Sequence, residues 1–118
     1  VARARAEQRR AEFELDAARR TLAREYAALE RAIASDAAAV QSTEEEVIPQ
    51  AERALALAQD GYNRGAFSYL DVLEAQRALS DARQNRVDSL RSYHSNEAAL
   101  DSLTAGFGET LPIEEQHQ

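Results

Sequence analysis

The sequence contains no cysteine, no methionine and no tryptophan, and it has only two prolines and four glycines. Without cysteine, a disulfide framework and thiolate metal sites are excluded. So little proline and glycine also argues against a compact mixed domain. Aromatic residues are also scarce, with four tyrosines and three phenylalanines. The chain therefore lacks the large apolar residues from which a compact mixed core is usually made.

Lysine is absent too, so all 14 basic residues are arginine, against 21 acidic residues and a net charge of −7. An acidic chain gains nothing from counterion release on DNA or RNA, which argues against a nucleic-acid partner. No apolar run approaches the roughly 20 residues of a membrane-spanning helix. The chain has no initiator methionine, and Val1 already lies in a helical pattern. We therefore expect it to be a piece of a longer protein.

Alanine, leucine, glutamate and arginine dominate the sequence, a balance typical of long helices and coiled coils. Residues 2–60 predict one long helix with two apolar series that step by seven and interleave at spacings of three and four. The two series are Leu15, Leu22, Leu29 and Tyr26, Ile33, Val40, Val47, Ala54.

The first series continues through Asp36, Thr43 and Gln50, which are polar. Either the apolar stripe drifts at this point, or the helix faces a polar surface there. Pro49 also lies inside the pattern, and it predicts a kink or break near Ile48 or a restart of the helix, because proline lacks a backbone N–H.

Two glycines at positions 61 and 65 predict that the first helix ends in a tight turn over residues 61–68. Gly65 can adopt the positive φ of a C-terminal cap. Ser68 is a natural N-cap with Asp71 in the following turn. A second helix is predicted over 69–104, stopped by Gly106 and Gly108, with a flexible tail over 107–118. The predicted apolar set of this helix is Leu70, Leu73, Leu79, Ala82, Val87, Leu90, Tyr93, Leu100 and Leu103.

Two long amphipathic helices joined by a short turn predict an all-α fold, a long antiparallel coiled-coil hairpin over residues 1–106. At about 1.5 Å per residue the first helix would span roughly 90 Å and the second roughly 55 Å. The start of the first helix then has no partner within the hairpin. Another chain or another segment must cover its leucine stripe.

The stretch Gly61-Tyr62-Asn63-Arg64-Gly65-Ala66-Phe67-Ser68-Tyr69-Leu70-Asp71-Val72-Leu73-Glu74-Ala75-Gln76-Arg77 resembles the GY-x-x-G-x-x-S-x-x-D-V-L-x-A-Q-R pattern of TolC-like outer-membrane efflux proteins. Upstream, Val47-Ile48-Pro49-Gln50-Ala51 resembles a segment of the metal and multidrug members, including the heavy-metal branch. The resemblance spans residues 40–106.

That resemblance implies a homotrimeric channel in which each chain has two repeats, and this chain looks like the periplasmic hairpin of the second repeat. The strands that form the outer-membrane barrel would lie outside the sequence. It implies a passive conduit rather than an enzyme. We expect no cofactor and assign no residue as a metal ligand. A periplasmic adaptor protein and an inner-membrane pump are the implied partners, and metal cations or drugs the exported substrates.

The resemblance further implies roles for individual residues. Asp71 and Glu74 align with acids that line the periplasmic entrance, and Arg77 could pair with either. The turn would be the tip that contacts the adaptor, through Gly61, Tyr62, Gly65, Ala66, Phe67 and Ser68.

Each of these roles has a purely structural alternative. Asp71 could serve only to cap the helix with Ser68, and Glu74 could be a solvated helix residue. The two glycines could simply shape the turn, and Phe67 and Tyr69 could cover the hairpin end.

Other functional classes find less support in the sequence. His94 and Glu97 have helical spacing, but two ligands make a poor metal site. The rival interpretations are a generic coiled-coil oligomerisation module and the hairpin of a periplasmic adaptor.

Overall fold

The computed structural model describes residues 1–110, with side chains described as far as Gly106. Helix α1 covers Ala2–Ser42, a single π-helical turn covers Thr43–Val47, and helix α2 covers Ile48–Asn63. Helix α3 covers Tyr69–Thr110 and returns antiparallel to the first three elements. The molecule measures 91 × 40 × 14 Å, so it is one layer of helices thick. The predicted all-α hairpin is confirmed.

The hairpin has two arms: the first consists of α1, the π turn and α2, and the second is α3. Its core is a narrow seam between these arms. Among residues 1–106, the buried side chains of this seam are Ala58, Val72, Leu79 and Ala82. Alanine at two of these four positions lets the helix backbones approach closely. At the other end, residues 1–21 are all exposed. The start of α1 therefore extends beyond the hairpin, as its greater length predicts.

The helix ends differ from those expected from the sequence. Helix α2 continues past residue 60 to Asn63, and α3 continues past residue 104 to Thr110. The prediction that Gly106 stops α3 is wrong, because glycine inside a helix costs only about 1 kcal/mol relative to alanine and does not forbid it. Residues 107–110 belong to this helix, while the rest of the predicted tail, 111–118, lies outside the described residues.

The π turn marks the place where Pro49 interrupts the regular hydrogen bonding. The N–H of Ile48 donates to the carbonyl of Thr43, five residues back, instead of four. Backbone angles stay helical on both sides of the turn, so the chain does not break. Pro49 lies in the first turn of α2, where its missing N–H is tolerated. The predicted interruption thus takes the form of a π turn followed by a restarted helix.

A π turn contains one extra residue, and it moves the apolar seam of the first arm by one position. Before the turn the seam runs through Ile33 and Val40, as predicted. After it the seam continues at Ile48 and Leu55, while Val47 is 44% exposed. The prediction that Val47 and Ala54 continue the seam is therefore wrong. A strict seven-residue count assumes a regular helix, and Pro49 breaks that assumption.

The seam of α3 also differs from the predicted apolar set. Val72 is 5% exposed, although the predicted set omits it and contains Leu70 and Leu73. Those two leucines are exposed, together with Val87. The outer surface of the hairpin therefore keeps an apolar component in addition to its seam.

Candidate functional site

The end of α2 forms a Schellman motif around Gly65, which has a φ of 77°. The N–H of Gly65 donates to the carbonyl of Tyr62 at 3.0 Å, and the N–H of Ala66 donates to the carbonyl of Gly61 at 2.8 Å. These two bonds satisfy carbonyls that the end of a helix would otherwise leave unpaired. The positive φ predicted for Gly65 is confirmed.

Gly61 has a different role, because it lies inside α2 and not in the turn. A Cβ atom at this position would overlap the ring of Phe67, with its Cε2 at 2.6 Å and its Cγ at 2.9 Å. The N–H of Phe67 also donates to the carbonyl of Gly61 at 3.2 Å. Gly61 is therefore needed so that the Phe67 ring can pack against the helix backbone at this position.

The start of α3 is closed by a reciprocal pair of hydrogen bonds between Ser68 and Asp71. The backbone N–H and the hydroxyl of Ser68 donate to Oδ2 of Asp71 at 2.8 and 2.9 Å. In return the N–H of Asp71 donates to the Ser68 hydroxyl oxygen at 3.3 Å. This is a capping box in which aspartate takes the place of glutamate. The capping role predicted for the two residues is confirmed.

Asp71 also lines a shallow groove on one face of the hairpin tip. The other residues of this groove are Ala54, Leu57, Ala58 and Phe67. The carboxylate therefore borders an apolar surface supplied mainly by α2. Glu74 is exposed and lies three residues further along α3, on the same helical face. Within residues 1–106, neither acid forms an ion pair with Arg77.

The tip presents an exposed aromatic surface. Phe67 is 50% exposed, and the rings of Tyr62 and Tyr69 lie 5.7 Å apart at a tilted angle. Ala66 and Ser68 are exposed as well. Phe67 thus covers Gly61 with part of its ring and remains half exposed to solvent. The structure brings all six predicted tip residues to the same end of the hairpin, Gly61 and Tyr62 in the last turn of α2 and the other four between α2 and α3.

A polar layer lies inside the seam, far from the tip, where the sequence left two alternatives open. Asp36 is half-buried and accepts hydrogen bonds from the Ser92 hydroxyl at 2.8 Å and from the Asn96 amide at 3.0 Å. At Asp36 the first arm therefore faces a polar surface of α3. The stripe itself moves only after the π turn, which leaves Gln50 exposed.

Two ion pairs cross between the arms nearer the tip. Arg86 Nε lies 2.7 Å from Glu44 Oε1, and Arg83 lies 3.8 Å from Glu52. Sequence reasoning missed both pairs, because they join residues about 30 to 40 positions apart whose alignment depends on the register of the hairpin. His94 lies 3.8 Å from Glu97. Among residues 1–106 no group of three or more potential ligands is arranged to hold a metal ion.

These features define a class: an elongated helical hairpin with a tightly capped tip. Within the part of the chain that the structure describes, no helix combines the length and the hydropathy that a membrane span requires. Residues 1–106 match the family of outer membrane efflux proteins. The chain belongs to this family, which is a family of transport components.

One curated relative is the cobalt-zinc-cadmium resistance protein CzcC of Cupriavidus metallidurans. The two sequences are 36% identical over 66 residues, which is 56% of this chain. The aligned stretch spans only 16% of the relative's length. No solved structure gives a significant match to the chain.

Proposed function

We propose that the chain is the periplasmic hairpin of the second repeat of an outer-membrane efflux channel. The observation that carries the proposal is the tip. The Gly61–Arg77 stretch that resembles the family pattern supplies both the Schellman motif and the capping box. A generic coiled-coil module needs a turn, but it does not need this particular sequence. Family membership over residues 1–106 points the same way.

In the proposed assembly three chains form the channel, and their hairpins form its periplasmic wall. The exposed first 21 residues and the outward leucines of α3 supply apolar surface that neighbouring helices would cover. The tip, with its aromatic surface around Phe67, would contact a periplasmic adaptor protein, which in turn binds an inner-membrane pump. The channel itself is passive, and the pump provides the energy.

Asp71 and Glu74 would line the periplasmic entrance as rings of carboxylates around the threefold axis. Such rings favour cations over anions. The capping bonds of Asp71 use Oδ2, so the same residue can order the helix start and carry negative charge at the entrance. Opening would require the helices at the tip to shift against their neighbours.

We further propose that the exported substrates are metal cations. Two observations support this choice over organic drugs: the function in the relative's name, which is resistance to cobalt, zinc and cadmium, and the acids at the tip. The substrate is cargo in this scheme. It passes the carboxylates without a permanent binding site.

Site-specific photo-crosslinking in cells tests the tip assignment. A photoreactive residue at Ala66 of the full-length protein should crosslink to an adaptor protein in the cell envelope. The matched control is Ala38, an alanine of α1 that is exposed like Ala66 but lies far from the tip. A product containing a channel protein in place of an adaptor would identify the chain as an adaptor hairpin. A product containing only other copies of the chain would favour the oligomerisation module.

Charge neutralisation tests the substrate class. The double variant Asp71→Asn with Glu74→Gln should reduce cellular tolerance to cobalt, zinc and cadmium while leaving tolerance to organic drugs unchanged. Glu97→Gln, at an acid outside the tip, is the control. Unchanged metal tolerance in the double variant would refute the role of the acids. A loss of drug tolerance would refute the choice of metal cations.

A further inference from the structure

Helix α2, together with Val47 at the end of the π turn, carries two apolar stripes one residue apart, and only one of them faces α3. The inward stripe is Ile48, Ala51, Leu55 and Ala58. Each member of the outward stripe precedes an inward residue by one position. Its members are Val47, Ala54 and Leu57, and all three are exposed. A strict seven-residue repeat would have placed this outward stripe in the seam.

We propose that the π turn is a register switch that selects which of the two stripes faces α3. Conversion of the π turn to a regular α-helical turn would rotate the helix beyond it by one residue position, about 100°. Every residue of α2 would then occupy the place now held by the residue that follows it. Leu57, for example, would replace Ala58 in the seam.

The helix on the tip side of the turn is the half that can rotate. A one-residue shift there exchanges one largely apolar stripe for another, with Gln50 as the polar exception. The same shift of α1 would replace Leu29, Ile33 and Val40 by Glu30, Ala34 and Gln41. It would also remove Asp36 from its hydrogen bonds with Ser92 and Asn96. The α1 half is therefore fixed in its register, and α2 is not.

The rotation would change the surroundings of Asp71. In the observed register Ala54 and Leu57 line the groove beside this carboxylate. In the shifted register Arg53 would take the place of Ala54, and Ala56 that of Leu57. Arg53 is now held away from the groove, with its Nε donating to the carbonyl of Pro49 at 3.3 Å. The switch would thus exchange an apolar neighbour of Asp71 for a guanidinium.

Two features stabilise the observed register: the steric preference of Pro49 and the contact between Phe67 and Gly61. Pro49 favours the π turn, since a proline ring clashes with the carbonyl four residues earlier in a regular helix. At the tip, the Phe67 ring lies on Gly61, and the shifted register would bring Asp60 with its Cβ into that place. A partner that moves Phe67 would remove the second of these features. The register exchange stands independently of the function proposed above; only its effect at the channel entrance rests on that function.

Thiol labelling of the 118-residue chain tests the proposal, because the chain has no cysteine of its own. Single cysteines are introduced by Leu57→Cys and Ala58→Cys, at positions 67% and 8% exposed. With no other substitution, the thiol at position 57 should react with a maleimide much faster than the thiol at position 58. Pro49→Ala should narrow this rate ratio, and Pro49→Ala combined with Phe67→Ala should invert it.

A third labelling site separates rotation from unfolding. Ala82→Cys introduces a thiol in the seam of α3, at a position 4% exposed, which should stay protected in both registers. If the thiol at position 58 remains as slow as the thiol at position 82 in the Pro49→Ala, Phe67→Ala background, the proposal is wrong. If the thiols at positions 58 and 82 both become reactive, the proposal is also wrong. That result would mean that Pro49 and Phe67 keep the two arms packed together and do not select the register of α2.

Deletion of Glu45 in the Pro49→Ala chain should reverse the effect of Pro49→Ala on the labelling rates. The deletion removes the extra residue of the π turn, so a regular helix would connect α1 and α2 with both observed seams in place. The labelling pattern should therefore return to that of the chain with Pro49, with a fast thiol at position 57 and a slow thiol at position 58. A fast thiol at position 58 in this variant would contradict the assignment of the register shift to the π turn.

Discussion

The two glycines at the tip should respond in opposite ways to replacement by alanine once Phe67 is removed. Gly65 has a positive φ and open space around its Cβ position, so its requirement is conformational. Gly61 has ordinary helical angles, and a larger residue is excluded there because its Cβ would overlap the Phe67 ring. Comparing the two substitutions with and without Phe67→Ala therefore separates backbone conformation from side-chain packing.

The expected magnitudes follow from these two causes. Gly65→Ala should lower the free energy of unfolding by about 1–2 kcal/mol with or without Phe67, since an L-residue pays this amount in the left-handed region. With Phe67→Ala, the change Gly61→Ala should raise the free energy of unfolding by about 0.5–1 kcal/mol, because alanine is the better helix former. With Phe67 present, displacing its half-exposed ring should cost about 1 kcal/mol and cancel that gain.

Equilibrium urea unfolding followed by circular dichroism provides the measurement, with all variants at the same protein concentration. The decisive quantity is the coupling between Gly61→Ala and Phe67→Ala, expected at about 1 kcal/mol, against no coupling for Gly65→Ala. Equal effects of Gly61→Ala in both backgrounds would refute the packing argument. A coupling between Gly65 and Phe67 would refute the purely conformational account of Gly65.

Three further predictions concern the cap, the seam and a tyrosine. Ser68→Ala should lower the free energy of unfolding by about 1 kcal/mol, whereas Asp71→Asn, which keeps an acceptor oxygen, should lower it by less. Urea unfolding of both variants measures the two losses, and a larger loss in Asp71→Asn would contradict this prediction. Asp36→Ala leaves its two donors on α3 without their acceptor and should cost about 1–3 kcal/mol in the same assay, and a neutral result would show that this polar layer contributes nothing to stability. The negative charge of Glu30, together with a hydrogen bond to its carboxylate, raises the pKa of Tyr26 above 10.0. Glu30→Gln should therefore shift the absorbance transition of the Tyr26 phenolate to lower pH, and an unchanged transition would contradict this cause.

Features that depend on neighbouring residues were predictable from the sequence. The positive φ of Gly65 and the reciprocal bonds of Ser68 and Asp71 follow from a few adjacent residues, and the structure has both. The interruption at Pro49 was predictable for the same reason. Its form was not, because a kink, a break and a π turn all accommodate a missing N–H, and the choice depends on packing against α3.

Features that depend on the opposite arm were the ones the sequence could not supply. The exposure of Val47 follows from the extra residue in the π turn, which no periodicity reveals in advance. Asp36 looked like a defect in an apolar series, and only the alignment of the arms brings Ser92 and Asn96 to it. The capping role of Asp71 was visible locally, but its place in a groove with Leu57 requires the folded tip.

The position of the polar contacts explains how so thin a seam specifies one alignment. Alanine-rich helices that pack closely can slide past one another with little change in buried apolar area, so apolar contacts alone define their register poorly. A polar residue in a seam specifies register, since any slip leaves it without its partner.

Here Asp36 fixes the α1 half, and the Glu44–Arg86 pair marks the end of that fixed region at the π turn. Beyond it, among residues 1–106, only Glu52 and Arg83, at 3.8 Å and largely exposed, form an ion pair between the arms, and such a pair is expected to contribute little. The tip half therefore owes its register to Pro49 and Phe67, and this is the half in which a change of register would alter the candidate site.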